Sequence, residues 1–443
     1  MLEKEIERYY ADHEAEMIGR LDELCSIDSS FRDPRPEAGL PFGEGSARAL
    51  EWVQKFGQEI GLSVRNIDRH VIAMDWAEGK EPVLAILSHA DVVPANAEEW
   101  TYPPFRATRV GDRIYGRGTI DDKGPTVAVM YAIKCLKELG VELEHSFRMV
   151  VGGNEEQGCE DIEYYAAREP FPEMVVTPDG SFPVLNCEKG MVHLMFISSY
   201  DGPEISGGTV INAIPDKCLF DGKVYTGRAA HGSRPENGEN AITKFLAEYD
   251  GENSQLRALA RLFPHGEHNG KSAGLGFSDP LTGDMTCALT ILRAGGGRLE
   301  GGIDIRYPID RSYAEVSGII RSTLEAAGFE ISECEGMEPH HVPEKSRLVQ
   351  TLLGVYEKVR GEKGECIAEG GITYVHNTKG GVAFGAEYPW EENNMHGADE
   401  HIELSTFRDN FLMYAHAIME LCGAGAHGAS RVSGGTPPHN GEV

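Results

Sequence analysis

The sequence predicts an α/β protein in which a mixed sheet flanked by helices is interrupted by an inserted, sheet-rich α+β domain. Three observations predict it. Through the first 190 residues, short apolar strand-like runs alternate with helical patterns, the order that builds a sheet with helices packed on its faces. After Gly190 the pattern becomes alternating segments, such as Val192–Ile197 and Leu219–Val224, separated by glycine-rich turns. From about Pro343 the mixed pattern returns. The expected division is therefore 1–190 and 342–422 for the two parts of the main domain and 191–341 for the insertion. The tail 423–443 is small, polar and without periodicity, and is expected to be disordered. A chain of 443 residues, 41% of them hydrophobic, is long enough for two cores.

The elements follow in order. Ile6, Tyr10, His13, Met17, Leu21 and Leu24 recur at steps of three and four, which predicts an amphipathic helix with one buried face. A Gly/Pro-rich loop from Asp33 to Gly45 leads to a second helical pattern, Ala47 to Ile60, stopped by Gly61. Strands are predicted at Ser63–Ile67 and Val83–Leu87, and Gly111-Asp112 marks a hairpin turn between Thr108–Val110 and Arg113–Tyr115. The apolar stretch from Gly124 to Leu139, closed by Gly140, reads as a well-buried helix. Phe147–Val151 and Met174–Thr177 read as short buried strands. In such a sheet, ligands gather at the carboxyl ends of the strands.

Composition excludes several functions. A formal net charge of -30, from 71 acidic and 41 basic residues, argues against nucleic acid or an anionic membrane surface as partner. No apolar run reaches the roughly 18 residues of a membrane helix, and the charged start Met-Leu-Glu-Lys-Glu-Ile-Glu-Arg is unlike a signal peptide. Nine cysteines without a Cys-x-x-Cys pair read as reduced thiols, so a cytoplasmic setting is expected.

The chemistry-bearing residues form a series. His89 and Asp91 stand two apart just past a strand, where Asp91 can accept the second ring N–H of His89. Asp121-Asp122 open the buried helix after the loop Tyr115-Gly-Arg-Gly-Thr119; an aspartate bridging two cations needs such a tight loop, and only one of the pair need be a ligand. Glu155-Glu156 follow a strand, and adjacent glutamates can divide labour, one holding a metal and the other deprotonating the attacking water. Asp179 ends the next strand, and His396 lies in the distant loop Asn393-Asn-Met-His-Gly-Ala-Asp399. Each has a bland reading by itself: a satisfied histidine, a helix N-cap, a solvated acidic pair, a turn aspartate, a surface histidine. All five readings would have to hold together, although four of the sites fall at strand ends or the loops after them.

Ser88-His-Ala-Asp-Val-Val-Pro94, Trp100, Pro103-Pro-Phe105 and Gly116-Arg-Gly-Thr-Ile-Asp-Asp-Lys-Gly124 resemble the zinc exopeptidase family of aminoacylases, carnosinases, glutamate carboxypeptidases and acetylornithine deacetylase. Asp121–Pro125, Gly158–Tyr165, Thr177–Pro183 and Asp304–Pro308 resemble the bacterial dipeptidases of the dipeptidase V type within it, and the match runs from about residue 15 to 422. The resemblance implies a zinc-exopeptidase-like sheet with an inserted lid. It implies His89 and Asp179 on one metal, Glu156 and His396 on the other, Asp121 bridging them, and Asp122 not a ligand. A cis bond is implied between Asp121 and Asp122. Glu155 becomes the general base and Asp91 the partner behind His89. In Gly227-Arg-Ala-Ala-His-Gly-Ser-Arg-Pro-Glu-Asn-Gly238, His231 becomes the lid histidine that stabilises the oxyanion. Asn212 matches a substrate contact, Arg306 a holder of the substrate carboxylate, and Gly371 the carboxylate pocket. Where relatives show Gly-Gly-Gly-Thr-Tyr and then an arginine, this chain has Gly370-Gly-Ile-Thr-Tyr-Val-His376, so Ile372 and the missing arginine put substrate preference in doubt.

The resulting expectation is hydrolysis of dipeptides or short peptides from the free amino end with two divalent cations, zinc first and manganese or cobalt tolerated. A deacylase of N-acyl amino acids is the alternative within the family, and a metal-binding module without catalysis the alternative outside it. The long insertion favours a monomer over a homodimer.

Overall fold

The computed structural model of the chain describes residues 2–423; the tail expected to be disordered lies, from residue 424 onward, outside the described residues. Within them the chain divides into two units. The first comprises residues 2–174, 354–362 and 391–423, the second 175–353 and 363–390.

In the first unit the apolar period of the opening segment becomes the buried face of helix Leu2–Cys25, with Ile6, Tyr10, Met17, Leu21 and Leu24 inside. His13, expected on that face, stays half-exposed at its edge and stacks on Tyr9 at 3.9 Å. The second helix spans Glu44–Glu59, starting earlier than its apolar residues suggested because Gly43 supplies the turn into it, with φ +94°. The sheet of this unit runs in the order Ser63–Ile67, Val71–Asp75, Ser146–Gly152, Pro82–His89. Its first two pairings are antiparallel and the last is parallel, so it is mixed, as expected. Val71–Asp75 is a strand that alternation cannot flag, since all five residues are buried.

Helix Lys123–Glu138 is buried along almost its whole length, including Val127, Met130, Tyr131, Ile133 and Leu136. It packs against helices Leu2–Cys25 and Leu404–Cys422, and each buried Leu, Ile or Val side chain there contributes roughly 1.5–3 kcal/mol. Gly140 follows the helix end at φ +69°, as its place after the apolar stretch suggested.

The second unit holds a seven-stranded sheet within residues 190–337, whose longest strands are Gly190–Ser199, Thr286–Gly295 and Arg298–Tyr307, all antiparallel neighbours. Helices Ala241–Glu248, Ser254–Leu262 and Tyr313–Ala326 supply residues such as Phe245, Leu259 and Ile320 to a core shared with Phe196, Tyr307 and Phe329. The expected insertion 191–341 falls within this unit, which also takes in 175–190, 342–353 and 363–390, expected in the main domain. Leu219–Val224, read as one alternating segment, is instead a hairpin of strands Lys217–Phe220 and Lys223–Thr226 turned at Asp221-Gly222, both with positive φ.

Candidate metal centre

The site in the first unit begins with strand register. Pro82–His89 lies parallel to Ser146–Gly152 with His89 opposite Gly152, and the Ala90 amide donates to the Gly152 carbonyl at 2.9 Å. Two strand ends, and the loops after them, are thereby held side by side. Asp91 ties them further: its Oδ1 and Oδ2 accept the amides of Glu155 and Glu156, each at 3.1 Å. His89 Nδ1 lies 3.2 Å from the Asp91 carbonyl and 3.4 Å from its carboxylate. Asp91 thus backs the imidazole as the spacing suggested, and it also anchors the Glu155-Glu156 loop. Buried Asp161 completes that anchor by accepting the amides of Gly153 and Asn154 at 2.6 and 2.8 Å.

Asp121 sits between two histidines. Its Oδ1 is 2.9 Å from His89 Nε2 and its Oδ2 is 2.7 Å from His396 Nε2, which also lies 3.3 Å from Glu156 Oε2. Asp121, Glu156 and His396 each offer a ligand atom within 4.8 Å of the others. The Asp121–Asp122 peptide is cis. Asp122 turns to the strand end, where its Oδ2 accepts from Ser88 Oγ at 2.6 Å and the His89 amide at 3.2 Å. It occupies the N-cap position of Lys123–Glu138 without making a side-chain cap bond, so the bland reading of this aspartate does not describe it.

The electrostatics of this cluster call for positive charge. Among the described residues no lysine or arginine side chain bonds Asp121 or Glu156, and Glu156 Oε1 is buried without a hydrogen-bond partner. Burial and the neighbouring Asp121 raise the Glu156 carboxyl above the ordinary glutamate range. Against burial, Asp121 and Glu156 lift His396 to about 11. Asp121 and Asp91 likewise hold His89 well above the usual imidazole value against its burial. Imidazole and carboxylate donors with one orphaned carboxylate oxygen suit a divalent cation.

The other expected site residues lie in the second unit. Strand Ala230–His231 pairs with Ala213–Ile214, and the Gly232 amide donates to the Asn212 carbonyl at 2.7 Å, so His231 and Asn212 are neighbours. A Cβ at Gly232 would come within 2.9 Å of Asp304, which explains glycine there. His231 is exposed, with Nδ1 2.7 Å from Ser233 Oγ. Arg306 is buried and engages three of its five N–H donors: two on the Asp304 carboxylate, at 3.0 and 2.9 Å, and one on the Gly370 carbonyl at 3.0 Å. Asp304 also meets His193 Nε2 at 2.9 Å. Against burial, these two partners hold Asp304 below the ordinary carboxylate range. The reading of Arg306 missed Asp304, although the i, i+2 spacing in one strand puts both on the same face.

Asp179 follows strand Met174–Thr177, its amide donating to Thr177 Oγ1 at 3.2 Å. Gly371 has open space where a Cβ would be, whereas one at Gly370 would meet Ser233 at 2.8 Å, so Gly370 is the sterically required glycine of the pair. His376, in the place of the absent arginine, lies 2.7 Å from Glu188 Oε2 and 2.5 Å from the Glu338 carbonyl, while Thr373 donates to Glu188 Oε1 at 2.8 Å.

Comparison with known proteins gives the family of the chain. The model of peptidase family M20/M25/M40 matches residues 85–420. YtjP of Bacillus subtilis (strain 168), provisionally named as a dipeptidase, is 31% identical over 92% of this chain and 97% of its own. The beta-Ala-Xaa dipeptidase of Lactobacillus delbrueckii subsp. lactis is 32% identical over 90% of this chain and 95% of its own. Among solved structures, human carnosine dipeptidase 1 superposes with a TM-score of 0.64 at 15% identity, covering 95% of this chain and 99% of that one.

Proposed function

The chain belongs to peptidase family M20/M25/M40, and from that premise we propose that it is a two-cation dipeptidase of the dipeptidase V type, hydrolysing dipeptides or other short peptides from the free amino end. The observation that carries the proposal is Asp121, whose two oxygens each face a histidine, with Glu156 beside one of them. We assign Asp121 as the bridge, His89 and Asp179 to one cation, and Glu156 and His396 to the other. Zinc suits mixed imidazole and carboxylate donors, with manganese and cobalt compatible. Bound divalent cations supply Lewis-acid polarisation of a carbonyl and make water more acidic.

The chain's own groups do the rest. Glu155, its backbone amide fixed by Asp91, takes a proton from the attacking water and passes it to the leaving amine. His231 stabilises the oxyanion, and segment 191–341 acts as the lid that brings it to the substrate. Asn212 and the remaining N–H groups of Arg306 contact the substrate, with Gly371 in the carboxylate pocket. The names of the two relatives, one a dipeptidase and the other provisionally named as one, support this substrate class over N-acyl amino acids. Nine cysteines without a Cys-x-x-Cys pair favour a cytoplasmic setting, and no helix among the described residues is long and apolar enough to cross a membrane.

The test is a panel of dipeptides against N-acetyl and N-succinyl amino acids with the purified protein and added zinc or manganese. Faster turnover of dipeptides is expected; faster turnover of acyl amino acids sinks the reading in favour of a deacylase. Light scattering after size exclusion is expected to give a monomer.

A further inference from the structure

We propose that the buried pair Arg117–Glu400 is a clamp that sets His396 against Asp121 and Glu156, so that breaking it weakens one cation position and spares the other. This rests on the two-cation reading above. Arg117 lies four residues before Asp121 and Glu400 four after His396, and both side chains are almost wholly buried, at 2% and 0% exposure. Glu400 Oε2 takes the Arg117 guanidinium, while its Oε1 accepts the amides of Gly118 and Ile120 at 2.8 and 3.1 Å. The same guanidinium donates to the carbonyls of His396 and Gly397 at 3.1 and 3.2 Å. The Gly116 amide closes the set on the Glu400 carbonyl at 2.9 Å. Loop 116–122, which ends in Asp121, and loop 393–400, which carries His396, are thus joined by one ion pair that bonds the backbone of both.

The second loop needs such a tie. Asn394, His396 and Asp399 all adopt the left-handed region, with φ of +56°, +62° and +57°, which side-chain-bearing residues hold only under external constraint. His396 is also 45% exposed, so packing alone does not fix its ring 2.7 Å from Asp121. His89 is placed differently: it ends a paired strand, fully buried, and is held by sheet register, Asp91 and Asp122 as well as by Asp121. The clamp therefore acts chiefly on the Glu156 and His396 side: Asp121 of the clamped loop also meets His89, but His89 keeps its strand end, Asp91 and Asp122.

Two full-length variants test this. Glu400→Gln keeps the shape of the acceptor and removes its charge; Arg117→Lys keeps the charge and removes the fork. Zinc and cobalt bound per chain are measured by elemental analysis at graded free metal, and amide exchange is followed in the metal-free protein. Both variants are expected to keep one ion at wild-type affinity and to lose roughly 10- to 100-fold at the other. Exchange is expected to accelerate across 393–400 and not across 85–90. Two ions at wild-type affinity, equal weakening of both, or acceleration spread over the whole chain overturns the clamp. A wild-type chain that takes up no cation overturns the two-cation reading instead, and the exchange data then decide whether the pair holds the loop.

Discussion

Among the described residues of the first unit, Asp121 and Glu156 face histidines and no lysine or arginine, and one Glu156 oxygen is buried without a partner. In the second unit Asp304 lies between Arg306 and His193, and Glu188 takes His376 on one oxygen and Thr373 on the other. A buried carboxylate must be compensated or it destabilises the fold. The second cluster is compensated from within, by side chains that the fold itself brings to it. The first is compensated by proton uptake at its imidazoles or by an added cation, which is what a metal-dependent peptidase requires of its site. Two sets of acids of similar burial therefore have opposite needs, and only one of them recruits chemistry from outside the chain.

The sharpest way to separate them is to remove a group that acts beside the first cluster without neutralising it. Glu155→Gln is expected to lower kcat about 10²- to 10⁴-fold with bound metal unchanged, read by steady-state hydrolysis and elemental analysis of the same preparation. Next in size is a pair of neutralisations with opposite outcomes. Asp304→Asn leaves Arg306 buried beside an amide and is expected to cost about 3–5 kcal/mol in denaturant unfolding. Glu156→Gln removes a carboxylate whose ionisation burial and Asp121 already disfavour, so the metal-free protein is expected to hold or gain stability while cation binding falls. Equal losses in the two variants would break the contrast. Chelation of the wild-type protein should lower its stability by about 3–4 kcal/mol if free metal stood at 100 to 1,000 times Kd, and the same treatment should leave Glu156→Gln nearly unmoved.

Three residues of the first cluster are legible because each ends an apolar run or follows a glycine turn: His89 after Ala85–Ser88, Asp121 after Tyr115–Thr119, Glu156 after Gly152-Gly153; His396, in a polar loop, carries no such mark and enters through the family resemblance. Such punctuation is local, and so is the register that turns it into geometry. Part of what the sequence hides has no local sign. Arg117 and Glu400 are 283 residues apart and resemble any loop charges until folding buries them together. Helix Glu160–Ala166 is short and begins at Cys159, with φ +63°, a start that none of the usual capping residues announces. Arg306, expected to hold the substrate carboxylate, already holds Asp304 two residues before it in the strand, a partner that the i, i+2 spacing does mark. His376 was read as the loss of an arginine, whereas the structure makes it the counterpart of Glu188.

The smallest effect comes from a histidine that refuses charge, and it must be removed before acid sensitivity can be attributed to either cluster. His416, in helix Leu404–Cys422, is 5% exposed, and its Nδ1 has no hydrogen-bond partner. Burial lowers its pKa from 6.5 to about 4, with Lys358 acting in the same direction and Glu3 weakly against. Between those two values the unfolded chain binds a proton that the folded chain does not, so stability rises with pH through this window and is lost as pH falls from 6.5 toward 4. Going from pH 7 to pH 5 should cost the wild-type protein about 1–2 kcal/mol from this residue alone. His416→Leu removes the titration and leaves the helix face apolar. Thermal unfolding of both metal-free proteins at pH 7 and pH 5 is expected to show the smaller loss for the variant, by that amount; equal losses would place the acid sensitivity elsewhere, with the imidazoles of the first cluster the next groups to test.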